Sequence, residues 1–384
     1  MNAEYQFKKP PARSLAIPAG KWLKLDEGAP DGRLFPKDVL ARAYRSALYR
    51  AARENRLQYR DPRGSIMLRE EVAGMLKAQR GLMVTAENIC ITRGSQMGIF
   101  MAARILIQPG DAVLVEALTY EPAVAAFKSC GAKIVSVKLD KHGVDVEDIE
   151  RQCRLNRVRA IFLTPHHQFP TTVALRPDRR LRLLELARQF AFAVIEDDYD
   201  HEYHFQSQPL LPMASYAPER IIYVGSLSKL LLPALRIGYV CAPLQVIESI
   251  AHEVTVLDSM GNTLTEDAVA ELIGTGEVRR HVRKMTQVYA QRRDAFAKAL
   301  DEELTDMVDF EVPDGGLAFW IRFRKLADLD RIEKNAPDLG LQFAASRSFI
   351  TRPGATRGLR IGFASLSERD ARAALKALRQ AAKP

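Results

Sequence analysis

Apolar and polar residues alternate along the chain with two different periods. From residue 37 to 54 and from 65 to 81, apolar residues recur three and four positions apart, which predicts two amphipathic helices. Downstream, short apolar runs typical of strands take turns with further amphipathic segments. The strand-like runs are 87–92, 112–116, 133–139, 159–165, 191–197, 221–226 and 236–242. This order predicts an α/β fold with a mostly parallel sheet that helices cover on both faces.

The same pattern divides the chain into an arm and two lobes. Residues 1–22 contain Lys-Lys-Pro-Pro-Ala-Arg and an isolated Pro-Ala-Gly, a composition expected of a linker or arm. Residues 58–278 hold the alternating strands and helices and form the predicted large domain. A basic helix from about residue 279 starts a mixed C-terminal part. We predict that residues 279–384 form a smaller domain together with residues 23–57.

Composition narrows the class of protein without indicating an activity. Hydrophobic residues make up 47% of the 384 positions, enough to bury a large core. The four cysteines form no Cys-x-x-Cys pair, which argues against a disulfide framework and a cysteine zinc site. No apolar run resembles a signal peptide or reaches the roughly 20 residues of a membrane span, so we predict a cytoplasmic protein without a membrane partner. The net charge of +9 favours anionic ligands.

Polar residues with binding chemistry follow the predicted strands. In an open α/β sheet, ligands bind beyond the carboxyl ends of the strands, so a site is expected there. The strand at 87–92 is followed by Gly94 and a helix start, whose free backbone N–H groups suit a phosphate. The other candidates that follow strands are Tyr120, Asp197, Tyr199, Ser226, Ser228, Lys229 and Arg236. Taken alone, each has an ordinary explanation such as a helix cap, a solvated loop or core filling.

Lys229 makes the set informative. It lies in an apolar run, Ser-Leu-Ser-Lys-Leu-Leu-Leu-Pro, where an uncompensated ammonium is costly and its pKa is pushed down. A phosphate cradle, a stacking ring, an aspartate and a desolvated lysine at strand ends are the parts needed to hold pyridoxal phosphate. The sequence therefore predicts that cofactor.

Five segments carry a resemblance to a known family: 57–76, 91–116, 162–172, 194–205 and 225–240. Through them the chain resembles, from about residue 22 onward, fold-type I pyridoxal-phosphate enzymes of the class I and II aminotransferase group. Within that group it is most similar to the aminotransferase-like domain of MocR-type regulators of the GntR superfamily. The resemblance implies a large domain with a mostly parallel sheet between helices, plus a smaller α+β domain.

The resemblance also implies roles for the residues at the strand ends. Lys229 would form the Schiff base with the cofactor aldehyde and serve as base and acid of the proton shift. Asp197 would pair with the pyridine nitrogen, and Tyr199 would hydrogen-bond the phenolate oxygen. The other implied contacts are stacking by Tyr120 and phosphate binding by Gly94, Ser95, Gln96, Ser226, Ser228 and Arg236.

Three further residues gain implied roles outside these strand ends. Tyr59 would reach the phosphate in the other subunit of a homodimer. Arg360 is similar to the small-domain arginine that clamps the substrate α-carboxylate, with Arg347 as a second candidate, because a guanidinium binds that planar anion in a bidentate manner.

The chain departs from the family pattern at two places. The usual Asn-Pro-Thr-Gly is Phe-Pro-Thr-Thr at 169–172, so the asparagine contact to the cofactor is missing. His167 or Gln168 is the predicted replacement, and the His-Gln-Phe-Pro form is shared with the MocR-like group. In the GABA-responsive regulator of that group an arginine follows the stacking tyrosine by two positions. Pro122 stands there in this chain, which argues against recognition of GABA.

Two functions remain open at this point. The first is an aminotransferase that moves an amino group between an amino acid and a 2-oxo acid. The second is the effector-sensing domain of a transcription regulator, in which ligand exchange shifts conformation with little or no turnover. Such regulators carry a winged helix-turn-helix ahead of this domain, whereas only 22 linker-like residues stand there in this sequence, which favours the enzyme. DNA is an expected partner only if such a domain is attached in the full-length protein.

The segment at 197–204 also offers a metal-binding alternative, because His201 and His204 are three positions apart beside several acids. Histidines at this spacing are common, and the same segment fits the cofactor loop. We therefore predict no metal site.

Overall fold

The computed structural model describes residues 22–205 and 209–383, apart from the side chains of residues 326 and 327. The predicted arm at 1–22 lies outside this part of the chain except for its last residue. The strands are β1 (Leu23–Lys24), β2 (Ile89–Thr92), β3 (Ala112–Glu116), β4 (Lys133–Val137), β5 (Leu139–Asp140), β6 (Gly143–Val144), β7 (Val158–Leu163), β8 (Ala193–Asp198), β9 (Ile221–Ser226), β10 (Gly238–Cys241), β11 (Val308–Phe310), β12 (Ala318–Phe323), β13 (Leu341–Gln342) and β14 (Leu359–Gly362). The helices are α1 (Lys37–Arg53), α2 (Ile66–Arg80), α3 (Ser95–Leu106), α4 (Glu121–Ser129), α5 (Val146–Leu155), α6 (Pro177–Gln189), α7 (Leu244–Asp258), α8 (Thr263–Gly274), α9 (Glu277–Leu304), α10 (Leu326–Asn335) and α11 (Glu368–Ala381).

The central sheet has seven strands in the order β2-β10-β9-β8-β7-β3-β4. The adjacent strands β9, β8, β7, β3 and β4 are all parallel to one another. Strand β10 runs antiparallel to both β2 and β9. Helical crossovers connect most of the parallel strands, as parallel pairing requires. The predicted α/β class with a mostly parallel sheet is confirmed.

Both faces of this sheet are buried against helices. Along β7, Ala160 and Phe162 contribute to one hydrophobic core, whereas Ile161 and Leu163 contribute to the other, because successive strand side chains point to opposite faces. One core is completed by α3, α4 and α7, and the other by α2, α5, α6 and α8. Full burial of a side chain such as Phe162 contributes about 1.5–3 kcal/mol relative to exposure. The strand ends are thereby held on a rigid scaffold.

A separate core defines the smaller lobe. It lies around the antiparallel sheet β11-β12-β14, with α9, α10 and α11 packed against it. The parallel pair β1-β13 joins the N-terminal strand to this lobe. Within the described residues, no helix has both the length and the apolar character needed to cross a bilayer.

Helix α1 departs from the predicted domain boundary. The prediction placed residues 23–57 in the small domain, but Ala43 and Ala47 of α1 are buried in a large-domain core. Tyr44 donates a hydrogen bond from its hydroxyl to Thr265 Oγ1 of α8 at 2.9 Å. The small alanine side chains let α1 approach α8 closely. The spacing of apolar residues correctly indicated a helix with one buried face, but spacing cannot identify the partner of that face.

Candidate active site

The carboxyl ends of β2, β8 and β9 meet at one edge of the sheet. The first residue of β10, Gly238, pairs with Thr92 on one side and Ser226 on the other. A Cβ atom at Gly238 would lie 2.5 Å from the carbonyl carbon of Gly94, so only glycine permits this approach of β10 to the start of α3. The register therefore brings the loops after β2 and β9 together, as predicted for a site at this edge.

An anion cradle forms where α3 begins. Gly94 is the N-cap of α3 with φ of 78°, so the free N–H groups of the first helical turn open toward the sheet edge. The Arg236 guanidinium lies against Gly94. A Cβ atom added to Gly94 would be 3.0 Å from each of the two terminal nitrogens of Arg236. Arg236 has left-handed backbone geometry, with φ of 52°, and donates from Nη2 to the Arg93 carbonyl at 2.8 Å. A strained, non-glycine position of this kind is typical of functional sites.

Two serines and a glutamine extend this cradle. The Ser228 backbone N–H donates to Ser226 Oγ at 3.2 Å, while Ser228 Oγ is buried without a hydrogen-bond partner in the described part of the chain. Gln96 donates from Nε2 to the Pro122 carbonyl at 2.9 Å, and its Oε1 is likewise buried and unpaired among the described residues. Ser95 occupies the first position of α3. Unsatisfied hydroxyl and amide groups beside an arginine fit a phosphate group.

Asp197 is the carboxylate at the end of β8. The residue is 4% exposed, and its Oδ1 has no hydrogen-bond partner among residues 22–205 and 209–383. Burial, reinforced by the nearby acids Asp198 and Asp200, raises the pKa of Asp197 to about 8. A buried carboxyl oxygen without a partner fits the protonated ring nitrogen of pyridoxal phosphate, which would supply both a donor and a compensating charge.

Lys229 follows β9 and is half-buried. Its ammonium donates a hydrogen bond to the Gly28 carbonyl. Desolvation lowers the pKa of Lys229, with a further contribution from Arg360, while Asp200 opposes the change. A lowered pKa increases the fraction of free amine at neutral pH, and the free amine is the form that attacks an aldehyde.

Tyr199 and Arg360 form a linked pair beside these groups. Tyr199 donates from Oη to the His167 carbonyl at 2.9 Å, and Arg360 donates from Nη2 to Tyr199 Oη at 3.2 Å. The guanidinium of Arg360 lies 4.8 Å from the centroid of the Phe169 ring and is 1% exposed. Burial raises the pKa of Tyr199 well above its ordinary value, which keeps the phenol protonated. The hydroxyl is thus a fixed hydrogen-bond donor at neutral pH.

The turn after β7 completes the wall of the site. Tyr120 packs edge-on against Phe169, with ring centroids 5.3 Å apart. His167 places Nδ1 2.7 Å from Asp200 Oδ1, which leaves its other ring nitrogen for further contacts. Gln168 instead is used within the chain, because its Nε2 donates to the carbonyls of Leu118 and Phe169, each at 2.7 Å. Of the two predicted replacements for the missing asparagine, Gln168 thus has its amide nitrogen engaged by the main chain.

Comparison with known proteins identifies the family of the chain. The model of the family described as "Aminotransferase class I and II" matches residues 20–378. The chain belongs to this family. It is 29% identical to aromatic-amino-acid aminotransferase 1 of Thermococcus litoralis over 94% of this chain and 88% of that protein. It is 30% identical to the probable rhizopine catabolism regulatory protein MocR of Rhizobium meliloti over 92% of this chain and 71% of that protein.

Two solved structures support the same assignment. The kynurenine aminotransferase of Pyrococcus horikoshii, crystallised with PMP, is 27% identical with a TM-score of 0.87, covering 95% of this chain and 91% of that chain. The α-aminoadipate aminotransferase LysN of Thermus thermophilus, complexed with N-(5'-phosphopyridoxyl)-L-leucine, is 27% identical with a TM-score of 0.85. The match covers 94% of this chain and 92% of that chain. The protein is therefore a fold-type I aminotransferase, an enzyme whose cofactor is pyridoxal phosphate.

Two predicted residues of this aminotransferase lie away from the cluster. The Arg347 side chain is 74% exposed and pairs with Asp330 at 3.7 Å, so the structure does not bring it to Tyr199 and Arg360, contrary to its proposed role as a second clamp. Arg347 lies on the outward side of a short 3₁₀ helix, Ser346–Phe349, whose two end residues are buried, and this explains the difference. Tyr59 is 85% exposed on the loop after α1. Within one chain, Tyr59 makes no part of the site.

The prediction missed one contributing segment. The Glu27 carbonyl accepts from Arg360 Nε at 2.9 Å, and the Gly28 carbonyl accepts from Lys229. Asp26 Oδ1 accepts from the backbone N–H groups of Gly28 and Ala29, which fixes the turn. An Asp two residues before a Gly is a turn signal that the sequence offered. It could have located the turn, but it could not have shown that its carbonyls face the lysine.

Proposed function

We propose that Lys229 is the residue of this aminotransferase that carries pyridoxal phosphate and moves a proton during transfer of an amino group between an α-amino acid and a 2-oxo acid. The observation that supports this most is the presence, at one sheet edge, of a lysine whose pKa burial lowers and a buried carboxyl with an unpaired oxygen. Neither group is stable alone in a desolvated site, and a charged aldehyde cofactor satisfies both.

The remaining residues would position the cofactor. When bound, pyridoxal phosphate supplies an electron-accepting ring that stabilises a carbanion at the substrate α-carbon. Asp197 would hold the ring nitrogen protonated. Tyr199 would turn its single hydroxyl proton from the His167 carbonyl to the phenolate oxygen, while Arg360 continues to donate to Tyr199 Oη. The start of α3 and Arg236 would bind the phosphate.

Arg360 would bind the α-carboxylate of the substrate. Its guanidinium is already buried beside Tyr199 and held by the carbonyls of Glu27 and Pro170. A fixed planar fork matches a carboxylate and loses little conformational entropy on binding. Since the α-carboxylate is common to all α-amino acids, this contact would set the substrate class, and other contacts would select the side chain.

We further propose a homodimer in which Tyr59 contacts the partner's cofactor phosphate. The support is that several large apolar side chains close to Tyr59 in sequence are exposed, with Tyr49 at 65% and Leu57 at 53% exposure. Exposed apolar residues of this size are typical of interaction surfaces when they form a patch. Light scattering of the purified protein at micromolar concentration would give twice the chain mass of 43.0 kDa if the proposal is right, and the single mass if it is wrong.

A single half-reaction tests turnover. Cofactor-loaded protein is mixed with a panel of L-α-amino acids in the absence of any 2-oxo acid, and the 2-oxo acid formed is quantified by mass spectrometry. We expect about one 2-oxo acid per site from at least one donor. Addition of a different 2-oxo acid should then take up the amino group and return the cofactor to its aldehyde form, since the transfer proceeds in two halves.

The similarity to MocR keeps a second candidate, the effector-sensing domain of a regulator, with DNA as a partner if a helix-turn-helix is attached in the full-length protein. The same experiment separates the two. A change in the cofactor spectrum with no 2-oxo acid from any donor would favour sensing and contradict the enzyme.

A further inference from the structure

Three histidines from two segments converge beside the active site. His166 follows β7, whereas His201 and His204 follow β8, and one ring nitrogen from each lies within 4.8 Å of the others. Sequence spacing grouped His201 with His204 only, because His166 is 38 residues from His204 in the chain. We propose that His166, His201 and His204 bind a divalent transition-metal ion through their imidazole nitrogens. The proposal does not depend on the function proposed above.

The ring positions are close to those of a metal site. The Nε2 atoms of His166 and His204 are 2.9 Å apart, and the His166 and His201 ring centroids are 4.5 Å apart. A tetrahedral ion with metal–nitrogen bonds of about 2.0–2.1 Å separates its ligand atoms by about 3.3 Å. The first pair would therefore open by about 0.4 Å, and His201 would turn inward. Both adjustments are smaller than the width of a ring.

Asp198 supplies the outer support that metal-bound histidines usually have. Its Oδ2 lies 3.1 Å from His201 Nδ1, although Nδ1 makes no hydrogen bond among the described residues. The inward turn of the ring would let Nδ1 donate to this carboxylate and leave Nε2 for an ion. The same carboxylate accepts from Tyr223 Oη at 2.5 Å and is therefore fixed in place. A carboxylate that orients an imidazole and increases its basicity is the common second layer of a histidine site.

Two of the three histidines, His166 and His201, are buried, and His204 is half-buried. His166 is 6% exposed, and its Nδ1 has no hydrogen-bond partner in the described part of the chain. A buried imidazole nitrogen without a partner is uncommon in folded proteins, which favours a ligand at this cluster.

The position of the cluster leaves room for a fourth ligand. His166 and His204 line a cavity of about 860 Å³ between the two lobes, whose other walls include Trp320 and Arg322. Three nitrogen ligands with an open position for water or an exogenous anion are typical of zinc and related ions, and an all-imidazole set disfavours Mg²⁺ and Ca²⁺. An ion there would also tie the turn after β7, which carries His167, to the loop after β8.

Metal titration of the cofactor-loaded protein tests the proposal. Protein without a histidine tag is treated with chelator, then titrated with Co²⁺ and Zn²⁺, and bound metal is measured by mass spectrometry and by the visible absorption of Co²⁺. We expect one ion per chain. The variants His201→Gln and His204→Gln each should bind at least about tenfold more weakly, while His252→Gln, an exposed histidine on α7, should bind like wild type.

Two results would overturn the proposal: wild-type protein that takes up no stoichiometric ion, or His201→Gln and His204→Gln variants that bind as well as the His252→Gln control. If the variants do not fold, wild-type crystals soaked in Zn²⁺ decide the question by anomalous scattering. A peak about 2.0–2.1 Å from all three imidazole nitrogens supports the site, and its absence there contradicts it.

Discussion

Replacement of Asp197 by Asn tests the electrostatics of the site in the cofactor-free protein. Burial raises the pKa of Asp197 from 3.8 to about 8, so the folded protein keeps a proton that the unfolded chain has lost over this range. The neutral carboxyl therefore contributes stability that is complete below pH 3.8 and is lost as pH rises toward 8. Each pH unit inside the window corresponds to about 1.4 kcal/mol. Between about pH 5 and pH 7 this one group should reduce the free energy of unfolding by about 2–3 kcal/mol.

Equilibrium urea unfolding of the cofactor-free wild type and the Asp197→Asn variant at pH 5, 6 and 7 measures this effect. The buried acids Glu116 and Glu196, whose pKa burial also raises, titrate in both proteins, so their effect cancels in the difference. The variant should show the shallower loss of stability with pH. Asp178→Asn, at a side chain on α6 that is 62% exposed, controls for the substitution itself. Its free energy of unfolding should change with pH as that of the wild type does. Parallel profiles for Asp197→Asn and wild type would refute the reasoning, because they would mean that the carboxyl is already ionised at pH 5.

Three further substitutions test the proposed contacts. Gly94→Ala adds strain of about 1–3 kcal/mol, because the backbone there has φ of 78° and ψ of 168°, and it pushes the Arg236 guanidinium away. Cofactor should therefore be lost at least about tenfold faster on dialysis, as followed by absorbance. Gly74→Ala, with open space around the residue, should lose cofactor at the wild-type rate. Arg360→Lys should lower kcat/KM for the amino donor by about 10- to 150-fold in steady-state assays, since a charged hydrogen bond contributes about 1.5–3 kcal/mol. Arg347→Lys should have little effect. Tyr59→Phe should weaken cofactor binding by about tenfold in equilibrium dialysis, and unchanged affinity would contradict its role across the dimer.

Periodicity predicted the sheet, and the residues that follow its strands were the candidates for the site, because both depend on local signals. Short apolar runs in a chain that alternates with helices indicate parallel strands, and ligand residues then lie at strand ends by geometry. Asp197 and Lys229 could be found this way, since each lies at or just beyond the end of its strand. The loop after β2 could be predicted from the sequence in the same way, because a glycine before the start of a helix is typical of an anion-binding site.

Contacts between distant segments could not be predicted in this way. His166 joins His201 and His204 only through the pairing of β7 with β8, and no local pattern encodes that neighbourhood. The partner of α1 and the surface position of Arg347 are further cases, because both depend on which faces pack together. The contacts of the Glu27 and Gly28 carbonyls could not be predicted either, since every residue has a backbone carbonyl and the sequence does not show where it points.

The most direct test of the central claim is to locate the cofactor on the chain. Borohydride reduction of the loaded protein fixes the cofactor on the lysine that holds it, and peptide mapping by mass spectrometry identifies that lysine. We expect the added mass on the peptide that contains Lys229, and we expect it to be absent from the Lys229→Ala variant. Added mass on any other lysine, or an unchanged map after reduction of the loaded protein, would contradict it.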